Sequence, residues 1–114
     1  MHTTVIDGET IAASGAFTSK PVAVPGEHAH FSLQWVITGN GTAKFECLDS
    51  NDGITYILDT GYDIETAQTK TTGPGSDGIN KASFSPRPSE AVKIICTETG
   101  GANSVTVTAV LVTT

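Results

Sequence analysis

Positive charge and aromatic rings are both scarce in this sequence. Six Lys and Arg residues stand against twelve Asp and Glu, and Phe, Tyr and Trp together make up 6% of the 114 residues. The net charge of −6 repels a polyanion and no basic cluster offsets it, so direct binding to nucleic acid is not expected. Long apolar runs are missing as well. None approaches the roughly 20 residues that a helix needs to cross a bilayer, so no membrane partner is expected. Met1-His2-Thr3-Thr4 lacks the basic start and apolar stretch of a secretory leader, which makes synthesis in a cytoplasm the expectation. With Cys47 and Cys96 alone, the chain is no disulfide scaffold. Linkers, charge blocks and repeats of about 20–50 residues are also missing.

What is present suits short strands. Hydrophobic residues make up 38% and charged residues 16%, and the remainder is largely Gly, Ser, Thr and Asn. Gly, Thr, Val and Ile are weak helix formers, and the β-branched ones fit a pleated sheet. A chain of this length buries roughly two-thirds of its unfolded surface, enough for one domain over residues 1–114 without metal or cross-link. The clearest strand is 30–38. There Phe31, Leu33, Trp35 and Ile37 share one face, and His30, Ser32, Gln34 and Thr38 the other, with Val36 as the exception. Gly39-Asn40-Gly41 then tolerates positive φ, as a hairpin turn requires, and the returning strand 42–48 places Ala43, Phe45 and Cys47 inward.

A second turn at Asp49-Ser50-Asn51-Asp52-Gly53 leads into a strand over 54–58. Short extended pieces are expected at 10–13 and 20–24, the second held to a sheet edge by Pro21 and Pro25. Residues 59–80 carry glycines among polar residues with little periodicity, and read as a long loop with a short helix around 63–69 as an option. Strands follow at 79–85, at 91–97 with Val92, Ile94 and Cys96 inward, and at 104–112 with Val105, Val107, Ala109 and Leu111 on one face. Pro86-Arg87-Pro88 marks a crossover or edge, and Gly100-Gly101 a turn. The expected fold is an all-β antiparallel β-sandwich, jelly-roll or Ig-like, of seven to eight strands.

The run Phe31-Ser32-Leu33-Gln34-Trp35, the Gly39-Asn40-Gly41-Thr42 turn, Ser50-Asn51-Asp52-Gly53-Ile54-Thr55-Tyr56, Val92-Lys93-Ile94 and the Thr/Val-alternating last strand follow one another in a recognisable order. This order resembles small β-sandwich structural proteins of tailed phages and prophages, which carry a Ser-x-Asp-Gly-x-x-aromatic hairpin between strands. The likeness covers about 31–56 and 91–112. Tyr56 stands where Trp is commoner, and 59–80 has no counterpart. The resemblance implies a non-enzymatic virion protein: a head decoration, head-tail or tail component made in a bacterial cytoplasm. It further implies assembly with copies of itself, a trimer being the first expectation, and with other virion proteins. The rival class is a carbohydrate- or surface-binding β-sandwich module.

Candidate sites are few. Asp49 and Asp52 offer hard oxygen ligands for calcium, but an EF-hand loop needs Gly at position 6 and Glu at position 12. Counted from Asp49, Gly53 is position 5 and Thr60 position 12, so a plain turn is the leading reading. His28 and His30 lie two apart, on one side of an extended segment, and could join symmetry-related copies around a metal; solvent-facing residues are the simpler reading. Cys47 and Cys96 are expected reduced and buried, with a bridge across the sandwich as the alternative. Trp35, Tyr56 and Tyr62 could form a sugar platform, but Trp35 falls on the apolar face. No catalytic constellation, cofactor loop or resident metal is expected.

The C-terminal strand, without proline or charge from Ser104 to Thr114, is expected to serve as an exposed subunit contact, with residues 59–80 taking part or facing a partner; the alternative is a central strand covered on both faces.

Overall fold

The computed structural model describes residues 2–26 and 30–113, with the backbone alone for 60–62. Nine strands form among them: β1 (His2–Ile11), β2 (Ala16–Thr18), β3 (Val22–Ala23), β4 (Phe31–Gly39), β5 (Ala43–Ser50), β6 (Ile57–Gln68), β7 (Ile79–Phe84), β8 (Ala91–Glu98) and β9 (Val105–Thr113). One sheet has the order β1-β9-β4-β7. The other has β2-β8-β5-β6, with β3 also paired to β8. Pro21 separates β2 from β3, and both lie antiparallel to β8, so the two pieces occupy one strand position.

The pairs nest. β5 lies against β6, β4 against β7, the β2/β3 pieces against β8, and β1 against β9. A long antiparallel ribbon folded over itself in this way is a jelly roll, which decides between the two sandwich types that the sequence leaves open. The expected core residues Phe31, Leu33, Trp35, Phe45, Ile94, Val105 and Val107 are all buried in one cluster. Trp35 of one sheet stacks on Phe45 of the other at 4.7 Å between ring centroids.

Four expectations need correcting. The Gly39-Asn40-Gly41 turn does not close a hairpin: β4 and β5 lie in different sheets, and the turn carries the chain from one to the other. Close backbone packing sets its shape, since a Cβ at Gly41 would come within 2.8 Å of Ser104 O. The strand expected at 54–58 begins at Ile57 and runs on to Gln68, through the segment expected as loop or helix. Inward positions there are filled by the polar Asp59 and Gln68, and three register shifts against β5 break the apolar alternation. β1 is likewise far longer than the piece expected at 10–13, because two register shifts and consecutive buried Val5 and Ile6 obscure its period. Finally, β9 is not an exposed edge but the central strand of the alternative reading. It lies between β1 and β4, hydrogen-bonded on both sides.

Candidate functional site

The turn after β5 is built by two side chains. Ser50 Oγ accepts the N–H of Gly53 at 2.9 Å and donates to Asp52 Oδ1 at 2.8 Å. The same Asp52 oxygen accepts the N–H groups of Ile54 and Thr55, both at 2.8 Å. These backbone donors, Thr55 first, together with the Ser50 hydroxyl pull the Asp52 carboxyl down to about 2. Gly53 adopts φ 73°, as the turn requires.

Beside this turn, Arg87 forks onto Asp49, with Nη2 at 2.7 Å from Oδ1 and Nε at 3.0 Å from Oδ2. It also lies 3.7 Å from Asp59 Oδ2 and reaches the Leu58 carbonyl at 3.4 Å. Asp49 and Asp59 are buried, and the planar guanidinium offers the bidentate geometry that a carboxylate needs. The Asp49 bond is the main reason that the Arg87 pKa is raised. Together Asp49, Asn51, Asp52, Thr55, Ile57, Arg87 and Pro88 line a hollow of about 400 Å³. Ile57 stands 60% exposed there, and Ile54 in the adjoining turn 83%.

The candidate ligands fare differently. Asp49 and Asp52 do meet at this hollow, but both Asp49 oxygens are taken by Arg87 and Asp52 Oδ1 is turned into its own loop. No group of three or more His, Cys, Asp or Glu among the described residues is placed to hold a metal ion. His30 Nδ1 lies 2.7 Å from Ser85 Oγ, tying the start of β4 to the β7–β8 connection. His28 lies outside the described residues. Cys47 and Cys96 are free and buried on neighbouring strands of one sheet, where Phe45, and not Cys47, pairs with Cys96. Burial pushes both thiols up to about 12, with Asp49 and Asp59 adding to the rise at Cys47, so neither is a ready nucleophile. Trp35 is core. Tyr56 has Lys93 Nζ 4.2 Å above its ring, and the Tyr62 side chain is outside the described set.

Two residues that hold the ends of the sandwich escaped sequence reasoning. Arg87 showed only as the middle of a Pro-x-Pro crossover. Glu98, at the opposite end, is fully buried, and its carboxylate accepts four backbone N–H groups, from Ser14, Thr42, Gly100 and Gly101, at 2.7–3.0 Å. Those donors, Thr42 and Ser14 foremost, bring its pKa down to about 2. The adjoining Gly100-Gly101 was the available signal, since a loop of small residues frees N–H groups for an anion.

The outer faces of the two sheets differ in charge. On the β5–β8 sheet, Lys44 lies 3.6 Å from Glu46 and 4.0 Å from Asp63. The other sheet turns Ser32, Gln34, Val36 and Thr38 of β4 outward, beside Thr106, Thr108, Val110 and Val112 of β9. Ile79 pairs with Val36 and Lys81 with Gln34 at the β7 side. His2, Ser32, Gln34, Lys81, Val110 and Val112 enclose a shallow depression of about 440 Å³ in this face.

No protein-family model matches the chain, and no curated relative does. Solved structures do. VP2 of infectious bursal disease virus, in a subviral particle, matches with a TM-score of 0.63 at 14% identity over 97% of this chain. The enzymatically active domain of tailspike protein 4 from bacteriophage CBA120 matches with a TM-score of 0.61 at 11% identity over 100%. The chain spans 31% of the former and 18% of the latter. The carbohydrate-binding module CBM36, in complex with calcium and xylotriose, matches with a TM-score of 0.54 at 9% identity, covering 100% of this chain and 99% of that one. At such identities the likeness is one of fold: a β-sandwich of the jelly-roll kind shared with viral capsid, tailspike and carbohydrate-binding proteins.

Proposed function

We propose that this chain is a non-enzymatic structural or accessory component of a virus particle, of tailed-phage or prophage origin. It works by assembling with copies of itself and with other virion proteins, after synthesis in the bacterial cytoplasm. The observation that carries this reading is the jelly roll, running from β1 to β9 in the strand order used by capsid proteins. The likeness to a phage tailspike domain adds support, as does the order of motifs around Trp35 and Ser50-Asn51-Asp52-Gly53. The thiols are held in their protonated form and the Asp49 carboxylate is neutralised by Arg87, which favours a binding role over a catalytic one.

The test is physical. Particles from the producing strain, banded on a density gradient, should contain this chain by mass spectrometry at a fixed ratio to the major capsid or tail protein. A second reading, a carbohydrate-binding module, draws on the likeness to CBM36 over that whole domain. Binding to a glycan array, with the chain missing from banded particles, would replace the first reading by the second.

A further inference from the structure

We infer that the outer face of the β1-β9-β4-β7 sheet is a docking surface for a second copy of this chain, two such faces stacking against each other. The inference rests on the assembly reading above and names the surface that carries it. Its basis is the distribution of charge. Twelve acidic residues give the chain a net charge of −6, so two copies repel one another on average. Yet the outward positions of β4 and β9 carry no carboxylate. They are Ser, Thr, Gln and Val throughout, and the paired outward positions of β7 add Ile79 and Lys81. Most acidic residues lie away from these two strands: Glu46 and Asp63 on the far sheet, Asp49 and Asp52 at the hollow, and Asp59 beside Arg87, while Asp77 stands at the margin, where its Oδ1 accepts the N–H of Ile79. Asp7 and Glu9 line a groove at the β1 side that β1 shares with Phe17 and Val22.

Distances make the argument quantitative. Sheets pack about 10 Å apart, so in a stack of two sandwiches the far faces, which carry Glu46 and Asp63 beside Lys44, would stand roughly 30 Å from each other. That is several screening lengths at physiological salt, about 8 Å each, so the repulsion between them is largely lost.

The surface is also apolar enough and large enough. Val36, Ile79 and Val112 are 39%, 42% and 41% exposed on a sheet whose inner face is already buried. Apolar surface of this kind, set among polar residues, marks an interaction site. Four strands about 4.8 Å apart and six to ten residues long cover roughly 500 Å² per copy, with β1 bringing Asp7 and Glu9 to the rim. Two faces then bury roughly 1,000 Å², the lower bound for a specific protein interface. Such a contact uses the same patch on both copies and so pairs them in twos, leaving strand edges and loop ends for other partners.

The experiment is sedimentation equilibrium of the wild-type chain from low to high micromolar concentration, beside Val36→Asp and Ile54→Asp. Both substitutions add one acid at an exposed apolar position, and thermal melts check that each variant is folded. Wild type and Ile54→Asp should associate reversibly to twice the mass of the chain, while Val36→Asp weakens association by about 100-fold or more. Gln34→Glu, also on the face, should weaken it in the same direction and serves if Val36→Asp does not fold. Association that survives both face substitutions would overturn the face while leaving assembly intact. A wild type that stays monomeric throughout would overturn the self-docking surface whatever the particle analysis shows.

Discussion

The stacked pair of Trp35 and Phe45 joins the two sheets at the centre of the sandwich, and removing either ring is the most direct perturbation of the fold. Both residues are buried, and their centroids lie 4.7 Å apart with the planes inclined by 23°. Truncating a buried Phe or Trp to Ala costs about 3–5 kcal/mol, from lost transfer energy and the cavity left behind. With an unfolding entropy of about 2.1 cal/mol/K per residue, each kcal/mol moves the Tm of a chain this long by about 4 °C. Trp35→Ala should therefore lower the Tm by about 12–20 °C. Both truncations together would consume most of the roughly 5–15 kcal/mol that holds a domain folded.

The interaction across the sheets is better isolated in a cycle of Trp35→Leu, Phe45→Leu and the double variant, where a branched apolar side chain partly fills each site. Offset-stacked rings contribute about 0.5–1.5 kcal/mol beyond their burial, so the double variant should be less destabilised than the two singles predict by that amount. Urea unfolding followed by far-UV circular dichroism is the assay, because Trp35 is the sole tryptophan and its fluorescence disappears in every variant that replaces it. Trp35→Phe adds a control. The indole Nε1 is buried with no hydrogen-bond partner among the described residues, a defect worth about 1–3 kcal/mol. Replacing it by Phe should thus cost clearly less than Trp35→Leu. Strict additivity in the Leu cycle, or a Tm unmoved by Trp35→Ala, would refute the placement of this pair between the sheets.

Glu98→Gln should lower the Tm at neutral pH, since an amide has one acceptor oxygen where the carboxylate oxygens accept four N–H groups. Because the folded Glu98 pKa is depressed to about 2, its stabilisation is complete above its ordinary range near 4.5 and is lost as pH falls towards 2. Thermal melts from pH 6 down to pH 2, each value an approximate setting, should show wild type converging on the variant; a constant gap would contradict the linkage. Asp52 titrates in the same direction, so Asp52→Asn should also lose its destabilising effect as pH falls through the window from its ordinary 3.8 to about 2. Calcium chloride and EDTA should leave the melting curve unchanged, because Arg87 occupies both Asp49 oxygens; a calcium-dependent rise in Tm would show that the carboxylates rearrange around the ion. Gly78→Ala should destabilise by at least about 1–3 kcal/mol, measured by urea unfolding, since φ is +77° and a Cβ would stand 2.5 Å from Ile37 O.

What could be read from the sequence was the inner face of the sandwich. On β4, β5, β8 and β9 every second residue on the inner side is apolar over most of the strand, despite apolar Val36, Ile95, Val110 and Val112 on the outer side, and all seven core residues named from that pattern are buried. Where the inward positions hold polar groups the signal fails, as on β6, where Asp59 is met by Arg87 and the Gln68 amide donates to the carbonyls of Thr69 and Thr72. Partnership across long sequence separations, 38 residues for Asp49 and Arg87 and 56 for Thr42 and Glu98, leaves no local trace. The hollow was therefore half visible: Asp49 and Asp52 as acids in a turn, Arg87 only as the middle of a Pro-x-Pro crossover.

Strand partnership was the other hidden quantity, and it bears directly on assembly. A chain whose neighbours in sequence formed hairpins would place Phe31–Gly39 beside Ala43–Ser50 and leave Val105–Thr113 at an edge. In the jelly roll every connection but the β5–β6 hairpin and the short step from β2 to β3 crosses between sheets, and β9 is drawn into the middle of its sheet between β1 and β4. The uncharged Thr/Val strand thereby changes its role. As an edge it would offer unpaired backbone groups to any neighbour; at the centre its N–H and C=O groups are satisfied and only its outward side chains remain. Association through it must then be face to face, governed by side-chain charge and apolar area and not by strand addition. A single carboxylate at Val36, next to β9 on the same face, is expected to disturb that contact, whereas a proline placed to block strand pairing at β1 or β7 is expected to leave it standing.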